Sequence, residues 1–373
     1  MSEPYYIPDW ESLSTHRAPE WFHDAKLGIF VHWGLYSVPG WAEPIGEPGD
    51  FDWEYWFKHN AYAEWYLNTL RIPDSKTARH HRITYGETFD YYDFISEFES
   101  ASARWDASAW ARRFREWGAR YAVLTTKHHD GYCLWPSRVP NPNRHSGRLC
   151  AQRDLVGSFL VTCQRAGLRA GTYYSGGIDW SWRLSPARNL TQAVNSTPGG
   201  AGYAAYAEAH LRELIERYRP DILWNDIGYP AMAGLEDLLA DYFNLVPGGT
   251  VNNRWKRKDR FHGDFDTPEY SIRNSIEERK WETCRGLGYS FGYNRNETEE
   301  HTLSGYQLIW LLADIVSKNG NLIINVGPRA DGSIPDVQQR PLDTLGNWLT
   351  TNGEGIYGTR PWIRAEGEPV DGT

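Results

Sequence analysis

Short, almost uninterrupted apolar runs recur along this chain, each followed by a longer segment whose apolar residues return every three or four positions. The runs are 27–33 (LGIFVHW), 121–126 (YAVLTT), 168–174 (LRAGTYY), 222–224 (ILW), 250–252 (TVN) and 322–325 (LIIN). Strands wetted on one face alternate apolar with polar residues; runs like these belong to parallel strands covered on both faces. The intervening segments read as helices with legible ends. Asp106 caps one that carries Trp110, Phe114 and Trp117 on one face and stops at Gly118. Asp154 opens another that Gly167 closes. Leu211, Leu214, Ile215 and Tyr218 form a stripe ended by Pro220, and Leu308, Leu311, Leu312 and Ile315 form one before Gly320. Repeated strand–helix units in a chain of 373 residues predict a parallel sheet closed into a TIM-like (β/α) barrel. The barrel is expected over residues 1–365, with a polar tail over 366–373.

Composition narrows the partners. A formal net charge of −9 excludes nucleic acid as the expected ligand. The one basic block, 254–260, is interrupted by Asp259. Aromatic residues make up 15% of the chain, with 19 Trp, and flat apolar rings are suited to the C–H faces of sugars. Cys133, Cys150, Cys163 and Cys284 form no close pair, so neither a zinc knuckle nor a disulfide framework is suggested. The opening residues MSEPY lack a basic region followed by an apolar run, and no run is long enough to span a bilayer. A soluble cytoplasmic protein without a membrane partner is expected, and the sequons at Asn189, Asn195 and Asn296 are read as incidental.

In a barrel, chemistry sits where strands end. Here several runs finish in polar residues: His32, then His128, His129 and Asp130, then Tyr173, Tyr174 and Ser175, then Asn225 and Asp226, then Asn253 and Arg254. In DILWNDIG, a buried strand delivers Asp226 beside Trp224, with Gly228 to turn the chain, which suits an ionised, rigidly aimed nucleophile. Cleaving an acetal takes a second carboxyl group. Glu269, in GDFDTPEY, is preferred, with Phe265 and Tyr270 expected to supply apolar surroundings; Glu282, in KWET, is the competitor. Adjacent His128 and His129 lack the His-x-His spacing of strand-borne metal ligands. With His32 they read as hydrogen-bonding groups for a polyol, and no metal or cofactor is expected.

Several strings then converge. WFHDAKLGIFVHWGLYSVP at 21–39 and YAVLTTKHHDG at 121–131 resemble two signatures of the α-L-fucosidases of glycoside hydrolase family 29. LWND at 223–226 resembles that family's nucleophile strand, and GNLIINVGP at 320–328 and NGEGIYG at 352–358 resemble its closing motifs. The resemblance implies a hydrolase that releases terminal α-L-fucose from fucosylated oligosaccharides or glycosides with retained configuration. It implies Asp226 as nucleophile and, through the TPEY string, Glu269 as general acid/base. It also implies that His32, His128, His129, Trp224 and Arg254 bind the sugar, joined by Glu64 and Trp65 of the EWY string and by Tyr173 rather than Tyr174. Phe291 is expected to wall the fucose methyl, although many members carry Trp there. Members commonly carry a C-terminal β-sandwich, which is not expected here. Trp180 and Trp182, in the loop 178–202, would either form a leaving-group subsite or pack the loop. The competing readings are a sugar-binding barrel without turnover, a metal-dependent hydrolase and a transfucosylase.

Overall fold

The computed structural model describes residues 5–143, 149–255 and 263–367. Of the expected tail, 368–373 lie outside the described residues, as do 256–260 of the basic block. Strands β1 (Leu27–Val31), β2 (Tyr121–Lys127), β3 (Arg169–Ser175), β4 (Ile222–Asp226), β5 (Thr250–Val251), β6 (Trp281–Gly286) and β7 (Gly320–Val326) form one sheet. Its order is β5-β4-β3-β2-β1-β7-β6, and every pairing is parallel.

The two ends of this sheet are joined by residues 264–270. Bridges link Asn252 to Phe265, Asp266 to Trp281 and Glu269 to Cys284. Asp264 N–H donates to Val251 O at 2.8 Å on one side, and Cys284 N–H to Pro268 O at 3.1 Å on the other. The segment thus closes the ring as an irregular eighth strand. Pro268 has no N–H to offer a ladder, so the pairing breaks up there. Neither this segment nor β6 is an apolar run. The residues of β6 that face the barrel interior are Glu282 and Cys284, which explains why its sequence, WETCRG, lacks the pattern seen in the other strands.

Helices pack outside, with the expected ends. Asp106 accepts from Ser108 N–H to start Ala107–Glu116, and Asp154 accepts from Gly157 N–H to start Leu155–Arg165. Gly118 and Gly167 follow these helices at φ 87° and 76°. At the end of Gly305–Ser317 the left-handed residue is Asn319 (φ 70°), so Gly320 is free to begin β7.

Strand residues alternate between two cores. Leu27, Ile29 and Val31 of β1 join Leu124, Leu211 and Leu312 in the layer between sheet and helices. Phe30, Tyr121, Val123, Tyr173, Ile222, Trp224, Phe265, Cys284 and Ile323 fill the barrel itself, where Phe22 and Ala25 of the helix Glu20–Ala25 plug the end at which the strands begin. Gly28 is part of this packing, because a Cβ on it would lie 2.3 Å from Tyr121 Cε2. Tyr121 Oη donates to Glu282 Oε2, and Trp224 Nε1 donates to Glu282 Oε1 at 3.1 Å. Glu282 is fully buried among them. Burial pushes its pKa up to about 7, against the pull of these two hydrogen bonds.

Two outcomes follow from this interior. Gly28→Ala should destabilise the fold by about 1–3 kcal/mol, because Tyr121 cannot retreat within a filled layer; denaturant unfolding measures it. A carboxyl whose pKa is raised on folding stabilises fully below its unfolded value near 4.5 and loses that contribution as pH climbs through 7. Glu282→Gln, which keeps an acceptor for Trp224 but does not titrate, should therefore flatten the decline in unfolding free energy between pH 5 and 8 relative to the parent chain.

Candidate active site

At the end of the barrel where the strands finish, one pocket is lined by His32, Glu64, Trp65, His128, His129, Tyr173, Trp224, Asp226, Arg254, Glu269 and Phe291. These eleven residues, assigned to the site from the sequence, therefore meet in one place. The pocket is small and opens to solvent at its mouth. That suits a single sugar ring better than a chain of them.

Two carboxylates face each other across it, joined by one guanidinium. Arg254 Nη1 donates to Asp226 Oδ1 at 2.9 Å and to Glu269 Oε2 at 3.0 Å. The two bridged oxygens can thus be no more than about 6 Å apart, short of the roughly 6.5–9.5 Å that an inverting pair keeps open for water and compatible with the roughly 5–5.5 Å of a retaining pair. Arg254 is itself held from three sides. Its Nε donates to Thr267 Oγ1 at 3.0 Å and its Nη2 to Thr267 O at 3.1 Å, while its Cζ lies 4.8 Å from the centroid of the Trp224 ring.

Asp226 ends β4. Its Oδ2 accepts from Tyr173 Oη at 2.8 Å, and its Oδ1 also accepts from Ile227 N–H at 2.9 Å. Burial opposes its charge, but the Arg254 guanidinium and the Tyr173 hydroxyl outweigh that and hold its pKa below the ordinary 3.8. The turn after it begins one residue earlier than Gly228 suggests. Ile227 stands at φ 60° and Gly228 at φ 111°. A β-branched residue in the left-handed region is strained, and its N–H is held by the carboxylate.

Glu269 has different surroundings from those expected. Phe265 points into the barrel core, and Tyr270 donates its hydroxyl to Gly288 O and Tyr289 O. The groups on the carboxylate are Arg254 and Tyr62, whose hydroxyl donates to Oε1 at 2.9 Å. Glu282 does not line the pocket; it lies beneath Trp224 in the barrel interior.

The three histidines are buried and uncharged. Burial drives His32 down to about 4 and His129 to about 3, and takes His128 well below the ordinary value. Their tautomers follow from their partners. Ser175 spends its hydroxyl proton on Ile178 O at 2.7 Å, so His129 Nδ1, 2.6 Å from Ser175 Oγ, must donate to it. Asn325 Nδ2 donates to Phe291 O at 2.5 Å, which leaves its Oδ1 to accept from His32 Nδ1 at 2.6 Å. Both rings keep an Nε2 lone pair, an acceptor for a sugar hydroxyl. Glu64 adds a carboxyl whose Oε2 accepts from Gly292 N–H at 2.7 Å. Burial pushes its pKa up to about 7. Phe291 meets His32 and Tyr62 at 4.9 and 5.3 Å between centroids, completing an apolar wall.

Other members of the same strings have supporting places. Tyr174 turns outward to His210, and Lys127 is buried with Nζ 2.9 Å from Ser175 O and 3.1 Å from Asp179 Oδ2. Trp180 packs on Trp65 and His129 and also lines a separate open pocket with Ile178, Arg183 and Ser196, while Trp182 packs on Tyr203 and Tyr206. Tyr62, Thr267, Ile227 and Cys284 escaped the sequence reading. Tyr62 stands two residues before Glu64 and Thr267 two before Glu269, and proximity to those strings was the only signal either carried.

The sequence profile of the α-L-fucosidase family matches residues 1–354. The α-L-fucosidase of Dictyostelium discoideum is 32% identical over 369 residues, covering 96% of this chain and 75% of that protein. Human tissue α-L-fucosidase is 32% identical over 367 residues, with 96% and 73% covered. Among solved structures, Thermotoga maritima α-fucosidase in complex with fucose superposes with a TM-score of 0.86 at 46% identity, covering 96% of this chain and 80% of that one. Paenibacillus thiaminolyticus α-L-fucosidase isoenzyme 1 gives a TM-score of 0.71 at 29% identity, with 94% and 79% covered. With a profile match over most of its length and relatives aligned across the whole barrel, this chain belongs to the α-L-fucosidase family of glycoside hydrolases.

Proposed function

We propose that this α-L-fucosidase works by double displacement, with Asp226 as nucleophile and Glu269 as general acid/base. The observation that carries this reading is the single guanidinium shared by the two carboxylates at 2.9 and 3.0 Å. In the first step an Asp226 oxygen forms a bond to the anomeric carbon as the bond to the leaving oxygen breaks. Glu269 gives its proton to that oxygen. Asp226 is suited to attack because it is buried, ionised and fixed by Tyr173, Ile227 N–H and Arg254. In the second step water bonds to the anomeric carbon and gives a proton to Glu269 as the ester to Asp226 breaks. Two displacements at one carbon return the original configuration.

Recognition is divided among the walls. The Nε2 lone pairs of His32 and His129 accept from fucose hydroxyls, and Glu64 offers a further carboxyl. Phe291 faces the methyl, which alone discriminates by only about 1–3 kcal/mol, so hydroxyl contacts carry most of the selectivity. The fucose bound to the Thermotoga maritima relative supports this substrate class.

The purified chain should hydrolyse 4-nitrophenyl α-L-fucoside far faster than the galactoside or rhamnoside analogue. Asp226→Ala should lose about 10³-fold or more in kcat and be revived by azide with an inverted glycosyl azide as product. Glu269→Ala should keep much of its rate on aryl fucosides with good leaving groups and lose it on poor ones; seeing that split in Glu282→Ala instead would reverse the acid assignment. Because Arg254 lowers the Asp226 pKa, the acidic limb of kcat/KM should lie below 3.8 in the parent and move upward in Arg254→Gln. A pH–rate profile of the two proteins checks the shift.

A further inference from the structure

The proton donor fixes the side from which a leaving group departs, so whatever is attached to the fucose must lie near Glu269. Residues 47–57 are tied to Glu269 by two routes. Tyr62, whose hydroxyl sits on Glu269, meets Trp56 edge-on at 4.9 Å between centroids. Its ring also lies along that of Tyr270, 6.2 Å away, which carries Arg285 Cζ at 5.0 Å. Arg285 Nη2 in turn donates to Glu47 Oε1 at 2.7 Å. The segment so anchored leaves three large rings facing outward within five residues: Phe51 is 38% exposed, Trp53 36% and Tyr55 43%. Trp53 packs its inner edge on Trp56 and Phe57, and Phe51 leans on Tyr55 at 5.2 Å. Exposed aromatic clusters of this kind mark binding surfaces, because the fold gains nothing from leaving them in water.

We infer that Phe51, Trp53 and Tyr55 form a leaving-group subsite that stacks the C–H face of the sugar to which fucose is attached. The substrates it favours are fucosylated saccharides rather than fucosides of small aglycones. This rests on Glu269 being the acid, and it adds the side and the chemistry by which the departing sugar is held. One face of a stacked pyranose meets the rings, while its hydroxyls remain in solvent, so contact is made without a dedicated polar partner.

The test compares α-L-fucosyl fluoride, whose leaving group is too small to reach the rings, with a panel of fucosyl-galactose and fucosyl-N-acetylglucosamine disaccharides. Trp53→Ala should lower kcat/KM on the best disaccharide about tenfold while fluoride hydrolysis stays within about twofold, and Trp53→Phe should restore most of the loss. Phe51→Ala should show the same selective loss to a smaller degree. Equal losses on both substrates would mean that Trp53 acts through the catalytic pocket or the fold, and no loss on either would mean that the rings touch no leaving group; each result overturns the subsite. If the parent chain turns over neither fluoride nor disaccharide, it is the catalytic reading that fails, not the subsite alone.

Discussion

The guanidinium of Arg254 is the contact on which the site depends. It touches both carboxylates, and so sets how far apart they stand and which of their oxygens face the pocket. It can do this only because its own position is over-determined. Thr267 takes two of its hydrogen bonds, and the Trp224 ring lies beneath it. Thr267 belongs to the segment that closes the barrel, which also carries Glu269. Ring closure and catalytic spacing are thus parts of one construction: if 264–270 slipped against β5 or β6, Arg254 and Glu269 would both lose their places.

The interior below the pocket serves as a floor. Trp224 is supported by Glu282 through its indole N–H, Glu282 by Tyr121, and Tyr121 by the space that Gly28 leaves open. Close-packed contacts yield little, so the pocket floor is fixed by residues that never meet a substrate. The histidines are oriented from outside in a similar way. Ser175 and Asn325 are committed as acceptors to His129 and His32 by their own bonds to backbone carbonyls, and the acceptor face of each ring is presented to the pocket as a result.

Much of this was legible in the sequence because both signals were local. Apolar runs identified six of the seven strands, and polar residues at their ends identified the rim. Asp226, the histidines, Tyr173, Trp224 and Arg254 stand at strand ends, where position and function coincide. Strand β6 was hidden because its inward residues are Glu282 and Cys284, and the closing segment because Pro268 interrupts its ladder. What could not be read were pairings across long distances in the chain. Tyr62 reaches Glu269 across 207 positions, and no local pattern announces such a contact. The apolar shell expected around Glu269 failed for the same reason: Phe265 alternates into the core, and a tyrosine hydroxyl from elsewhere takes its place.

The most direct measurement traps the covalent intermediate. Incubation with 2-deoxy-2-fluoro-α-L-fucosyl fluoride slows release of the ester more than its formation, and peptide mass mapping then locates the sugar. A single fluorofucosyl group on the peptide bearing Asp226, blocked by prior addition of fucose, is the predicted result. A label on Glu269 or Glu64, or turnover of the reagent with no label on any carboxylate, would contradict the assignment of the nucleophile.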